Sequence, residues 1–166
     1  MKTHIRWMVK HDNHEVLEIE RACFGDFAWS QQDFTDTLRN RNTIAMVAVC
    51  EKSDAVLGYM IYALHKGKLE LLNLAVDPAH FRQGIGRALI AKLTGKLTAN
   101  RRTRVSTVVR ESNLGAQLFL KAVGFRAQVP ILKEHYDDTK DDAYRFVYRH
   151  GQANQPNRES VEKLSA

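Results

Sequence analysis

Between Leu69 and Leu89 the chain passes from an apolar strand, through an Asp77-Pro78 stop, into a glycine-marked turn that opens a helix. Leu69 to Val76 is apolar over most of its length, as a strand covered on both faces would be. Pro78 has no N–H for a ladder and ends it. After Gln83-Gly84-Ile85-Gly86-Arg87, the residues Ile85, Leu89, Leu93 and Leu97 form one stripe of a helix from Gly84 to about Thr98. Glycines at 84 and 86 leave no Cβ between backbone and ligand. The first amides of a helix lack intrahelical acceptors and stand at the positive end of its dipole. Such a turn cradles a phosphate or pyrophosphate, with Arg82 and Arg87 adding charge beside it.

Better-known phosphate loops do not fit. G-x-G-x-x-G requires glycine where Leu89 stands. Thr94-Gly95-Lys96 lacks the upstream glycine of a P-loop, Ile90 being there, and its following Ser/Thr, which is Leu97.

The other segments predict the remaining elements. Ile5 to Lys10 reads as a strand. Asp12 and Glu15 have the spacing of a capping box ahead of Val16, Ile19, Ala22 and Cys23 at helical period. Ser30 with Asp33 caps a second helix carrying Phe34 and Leu38. Thr43 to Glu51 and Val56 to His65, joined by Lys52-Ser53-Asp54, read as a hairpin. Arg104 to Val109 is a strand. Asn113 to Val123 is a helix with Leu114, Leu118 and Val123 expected in the core, and strands follow around 126–132 and 143–148. The order predicts one mixed α/β domain, with antiparallel hairpins first and βαβ crossovers later. It spans 3–149, ahead of a polar tail at 150–166 expected to be mobile.

Charge has to be located before it indicates a partner. The 166 residues carry 25 Lys+Arg against 19 Asp+Glu, a net +6. Eight of the basic residues, Arg82, Arg87, Lys92, Lys96, Arg101, Arg102, Arg104 and Arg110, fall between Pro78 and Arg110 with no acid among them, leaving −2 elsewhere (6 minus 8). A nucleic acid, an anionic cofactor or an acidic membrane would each suit a basic chain. No apolar run reaches the roughly 20 residues of a membrane span. The N-terminus has no apolar signal region, and Cys23 and Cys50 form neither a disulfide framework nor a metal cluster, so a reducing cytoplasm is expected. The histidines show no metal-ligand spacing, and no metal is expected.

Leu74-Ala75-Val76-Asp77-Pro78 with Arg82-Gln83-Gly84-Ile85-Gly86-Arg87 resembles motif A of the GNAT superfamily of N-acetyltransferases. Arg110-Glu111-Ser112-Asn113, Ala116 and Ala122-Val123-Gly124-Phe125 resemble its motif B. Cys23-Phe24, Trp29-Ser30 and Phe34 resemble the helices of the ribosomal-protein-alanine (RimI-like) branch, and Tyr136 with Asp142-Ala143-Tyr144 its closing hairpin. The resemblance implies a single GNAT-type α/β domain. Its mixed central sheet carries helices on both faces, with the parallel strands splayed around acetyl-CoA.

It also implies a set of contacts. The pyrophosphate would sit on the backbone of Gln83, Gly84, Ile85, Gly86, Arg87 and Ala88, with Arg82 alongside. The pantetheine would run along Leu74, Ala75 and Val76, and Asn113 would meet the pantetheine or adenine. On this reading the charge serves coenzyme A, and nucleic acid is not expected. Phe81 departs from the Gln or Arg with which the family motif begins.

The reaction so implied is direct attack of an amine on the thioester. Lysine, with a pKa near 10.4, is only ~0.1% neutral near pH 7.4, whereas an α-amine at ~7.7–8.0 is ~20–30% neutral. A protein N-terminus therefore demands least of a base, a small amine or lysine being the alternative acceptors and a non-catalytic acyl-CoA-binding module the alternative role. The branch's base and acid positions hold Val108 and Leu120, both apolar. Glu70, fourteen residues before Gly84, matches the base of the histone-acetyltransferase branch. Strand alternation would place it on one face with Leu72, Leu74 and Val76, partly desolvated. Equally, it would pair with Lys66 or Lys68 at a strand end. Tyr136 and Tyr144 are the candidate acids, or else packing tyrosines. Glu134, Asp137, Asp138, Asp141 and Asp142 form a solvated loop or an acidic border to the substrate mouth. The protein is expected to be a monomer or a homodimer.

Overall fold

The two β-branched runs flanking Lys52-Ser53-Asp54 pair as an antiparallel hairpin of β2 (Thr43–Cys50) and β3 (Val56–Leu64), preceded by β1 (Thr3–Trp7) on the outer edge of β2. The computed structural model describes residues 1–136 and 141–152. β4 (Lys68–Val76) returns antiparallel to β3. β5 (Arg104–Arg110) lies parallel to β4, and β7 (Ala143–Arg149) is inserted between β5 and β6 (Arg126–Leu132). The sheet order is β1-β2-β3-β4-β5-β7-β6.

Helices cover both faces. On one, α3 (Ile85–Thr94) and α4 (Leu114–Ala122) lie over a core of Leu69, Leu71, Leu89, Leu93, Val105 and Phe146. On the other, α1 (Asn13–Phe24) and α2 (Gln31–Arg39) bury Val16, Ile19 and Phe34 against Val47, Tyr59 and Ile61. The predicted stripe of α3 is buried throughout, Ile85, Leu89, Leu93 and Leu97 each at 5% exposure or less. Ser30 and Asp33 form the expected reciprocal cap of α2.

Two local expectations are overturned. Asp12 does not cap α1. It accepts two bonds from the Arg6 guanidinium, at 2.8 and 2.9 Å, and one from the Val9 amide, while Glu15 reaches across to accept from the Val56 amide. Tertiary partners have displaced the local ones. On α4, Leu114 and Leu118 are 62% and 58% exposed. The packed stripe is Ala116, Phe119, Leu120 and Val123, because the helix meets the sheet one residue out of phase with the predicted face.

Candidate active site

β4 and β5 pair only over Lys68–Glu70 and Arg104–Ser106. Just beyond, the Thr107 hydroxyl donates to the Leu71 carbonyl (2.9 Å), and then the strands part. A cleft of about 390 Å³ opens where they separate. The register with β3 also slips there. Ile61 faces Asn73 but Tyr62 faces Leu71, so Leu72 is an extra residue in β4. Such a bulge reverses the alternation. Leu69 and Leu71 share the α3 side with Leu74 and Val76, whereas Leu72 and Ala75 pack on the α1 side. The single face expected for Glu70, Leu72, Leu74 and Val76 is thus broken at the bulge. With the Asp77 amide donating to Leu57 of β3, the Val76 peptide group faces the other way, and its carbonyl accepts from the Cys23 thiol (3.1 Å).

The turn that follows is built to expose amides. Asp77 caps the short helical turn at 78–80 by accepting from the Ala79 amide, and also meets His80 at 3.2 Å. Arg82 and Gly84 take positive φ, 61° and 81°, which directs the chain into α3 at Ile85. A side chain at Gly86 would begin 3.2 Å from the Phe119 ring, so glycine brings α3 against α4. The amides of Ile85, Gly86 and Arg87 have no intrahelical acceptor. Together with the open edge of β4 they fit a pyrophosphate followed by an extended, amide-bearing arm. Phe81 is exposed, outside this backbone cradle.

One wall of the cleft comes from α1, and its central residue was not foreseen. Glu20 is 1% exposed and lines the cleft. Its carboxylate accepts from the Trp29 amide (2.7 Å), the Asn73 side-chain amide (3.1 Å) and the Tyr59 hydroxyl. It ties the loop after α1, which carries Phe27 and Trp29 into the cleft wall, to the bulged part of β4. Burial first, and then the Glu20 charge, push Tyr59 far above the ordinary tyrosine range. The same two causes push Cys23 up to about 11. A signal was present in the sequence, since Glu20 occupies the i+4 place of the apolar stripe Val16, Ile19, Cys23. Cys23, expected in the core, is half-buried in the cleft wall.

The opposite wall is Val108, Val109, Arg110, Asn113, Leu120 and Tyr136. Val108 and Leu120 therefore do face the cleft, as apolar surface. Asn113 caps α4 by accepting from the Ala116 amide. Arg110 stacks on the rings of Phe27 (4.3 Å) and Tyr136 (3.7 Å) and meets Asp141 at 3.5 Å, bridging the two sides of the mouth. Tyr144 packs instead on the core under α3.

Glu70 stands apart from the residues that line the cleft. Its Oε2 is 2.7 Å from His65 Nε2, so its partner is neither Lys66 nor Lys68. Within the acidic loop, Asp142 accepts from the Lys133 ammonium and the Glu134 amide, each at 2.9 Å. Asp137, Asp138 and Lys140 lie outside the described residues, as does 153–166 of the tail. The eight basic residues do not form one group. Arg82 and Arg87 flank the turn, but the Arg102 guanidinium donates to the His65 carbonyl and Arg104 is level with Lys68, at the far end of β4. That is about 26 Å of strand away.

A family model described as the acetyltransferase (GNAT) family matches residues 13–125. The chain is 30% identical over 142 residues to the [ribosomal protein bS18]-alanine N-acetyltransferase of Haemophilus ducreyi, covering 84% of this chain and 94% of that protein. Among solved structures it is similar to the ribosomal-protein-S18-alanine N-acetyltransferase from Escherichia coli, with a TM-score of 0.75 at 23% identity over 94% of this chain and 99% of that one. It is likewise similar to Arabidopsis thaliana NAA60 in complex with acetyl-CoA, with a TM-score of 0.75 at 19% identity over 89% and 99%.

Proposed function

We propose that this chain, which belongs to the acetyltransferase (GNAT) family, acetylates protein N-terminal α-amines through a domain spanning 3–149. It is an acetyl-CoA-dependent N-acetyltransferase. The observation that carries the reading is the early end of β4–β5 pairing, which opens a cleft along the β4 edge, with a glycine turn and the first amides of α3 following directly after the strand.

Acetyl-CoA supplies a thioester carbonyl already activated toward amines. In our reading the amides from Gln83 to Arg87, with the Arg82 and Arg87 side chains, hold the pyrophosphate; the Ala88 amide, expected among them, instead donates to the Gly84 carbonyl (2.9 Å). The open edge of Leu74, Ala75 and Val76 aligns the pantetheine, and a backbone N–H there polarises the carbonyl. Asn113 borders the same groove from the cap of α4. Tyr136 is the phenol in the cleft wall, and we assign it the proton returned to the leaving thiolate. Val108 and Leu120 offer no base, which favours an acceptor that is already partly neutral. The substrate's own amine pKa then does the selecting. The work of such an enzyme is cytoplasmic. Among the described residues, no helix is long and apolar enough to cross a membrane.

Thiol release measured across a library of N-terminal peptides tests this. Turnover is expected on free α-amines, rising with pH to a plateau above about pH 8, and not on Nα-blocked peptides whose sole amine is lysine. Tight acetyl-CoA binding without turnover on any amine would make the chain a binding module.

A further inference from the structure

The cations at the far end of β4 belong to a larger array. Val105 and Phe146 sit in the core under α3, with Tyr144 and Tyr148 packed on it. Alternation therefore directs Arg104, Arg145 and Arg149 to the opposite face of the sheet. Lys68 follows them, being next to the core residue Leu69 and the lateral partner of Arg104. Arg126 does so as the partner of Val147. Lys68, Arg104 and Arg149 form one row straight across β4, β5 and β7. Neighbouring strands are about 4.8 Å apart, so five cations spread over four strands cover a flat field rather than a point. Among the described residues none of the five takes part in an ion pair, and Glu70, the acid beside Lys68 on this face, is engaged by His65. Arg145 pairs with Val108, a cleft residue, so the field runs up to the wall of the cleft.

We propose that this face docks the phosphate backbone of RNA beside the acceptor cleft. A single phosphate would satisfy one or two of these side chains, whereas a polyanion is needed to engage a row and its flanks. Protein partners are held by buried aromatic and aliphatic anchors within a polar rim. In the row Glu70, Ser106, Val147, Arg126 the two inner side chains are buried, which leaves charge as the recognising chemistry. The site is separate from the amide cradle at the other end of β4.

The test is fluorescence anisotropy of the full chain with a short, labelled, mixed-sequence single-stranded RNA. Five phosphate contacts at about 0.7 each predict a log–log salt slope near −3.5, about a hundredfold loss of affinity from 50 to 200 mM salt. Arg145→Glu with Arg149→Glu is expected to weaken binding at least tenfold and flatten the slope by roughly 1.4. Arg145→Gln with Arg149→Gln gives a smaller change in the same direction should the charge reversal fail to fold. Saturating acetyl-CoA is expected to leave RNA affinity within about twofold, because its cradle is remote. The proposal is overturned if RNA does not bind at low salt, if either double variant binds as the parent does, or if acetyl-CoA displaces RNA. Tighter binding to phosphatidylglycerol vesicles or to polyglutamate would overturn it as well.

Discussion

The two ends of β4 handle anions by opposite means. At the Val76 end the strand loses its parallel neighbour, and recognition falls to backbone groups of β4, a turn with positive φ at Arg82 and Gly84, and the first amides of α3. At the Lys68 end β4 is paired on both sides, and cross-strand rows of Lys and Arg supply the charge. The first mode is specified by what is missing, a side chain at Gly86 and a hydrogen-bonded neighbour. The second is specified by side chains that any count of charges registers. Of the basic residues between Pro78 and Arg110, Arg82 and Arg87 fall at the first end and Arg104 at the second, where Lys68, Arg126, Arg145 and Arg149 from outside that stretch complete the charge.

The sharpest way to break the contrast is to fill the space that the first end keeps empty. Gly86→Val would drive methyl groups into the Phe119 ring, already 3.2 Å from where a Cβ would stand. It would also cover the amides beside it. Acetyl-CoA affinity by calorimetry is expected to fall at least about a hundredfold, the worth of two charge-assisted bonds. RNA affinity is expected to be unchanged. Loss of both would mean that the two ends are not separate.

Next in size is Glu20→Ala. Three buried donors, the Trp29 amide, Asn73 and Tyr59, would lose their acceptor, at about 1–3 kcal/mol each. Removing a buried charge that has no cationic partner among the described residues offsets part of this, so about 3 kcal/mol is expected by urea denaturation. Glu20→Gln, which keeps an acceptor for Trp29, should lose less. Because the tie joins the Phe27–Trp29 loop to β4, the KM for peptide should rise several times more than that for acetyl-CoA.

Tyr59 gives this cluster a pH signature. Its folded pKa lies above the ordinary value of 10.0, so its contribution is fully present below pH 10.0. Above that, the unfolded chain loses the proton and the folded one keeps it. Stability should then fall by up to about 1.4 kcal/mol per pH unit. Tyr59→Phe should remove that part of the slope, as followed by urea denaturation between pH 9 and 11.

How much of this was legible in the sequence divides along the same line. The strand–turn–helix from Leu69 to Leu89 and the Ser30 cap were readable because their determinants are local. The bulge at Leu72 was not, since it arises from a slip against β3, and strict alternation misplaced Leu74 and Val76 relative to Glu70. Asp12 and Glu15 have the spacing of a cap but found Arg6 and Val56 instead. Glu20 was hidden because an isolated acid on an apolar stripe is discounted until its three donors, from distant segments, are in view.

The smallest effect is expected at Glu70, where the two ends meet. It stands on the paired side of the splay, its side chain 36% exposed and bound to His65 at 2.7 Å, and it does not line the cleft. Glu70→Gln keeps a hydrogen-bonding group toward His65 and takes away a partly exposed carboxylate, whose contact with the ring is worth at most about 1 kcal/mol. Its kcat/KM for an N-terminal peptide is therefore expected to stay within about threefold, with an unshifted pH–rate profile. A fall of tenfold or more, steepest at low pH, would restore this carboxylate as the base. It would also move the working boundary of the cleft down β4, past the Thr107–Leu71 link, into the region assigned here to structure and charge.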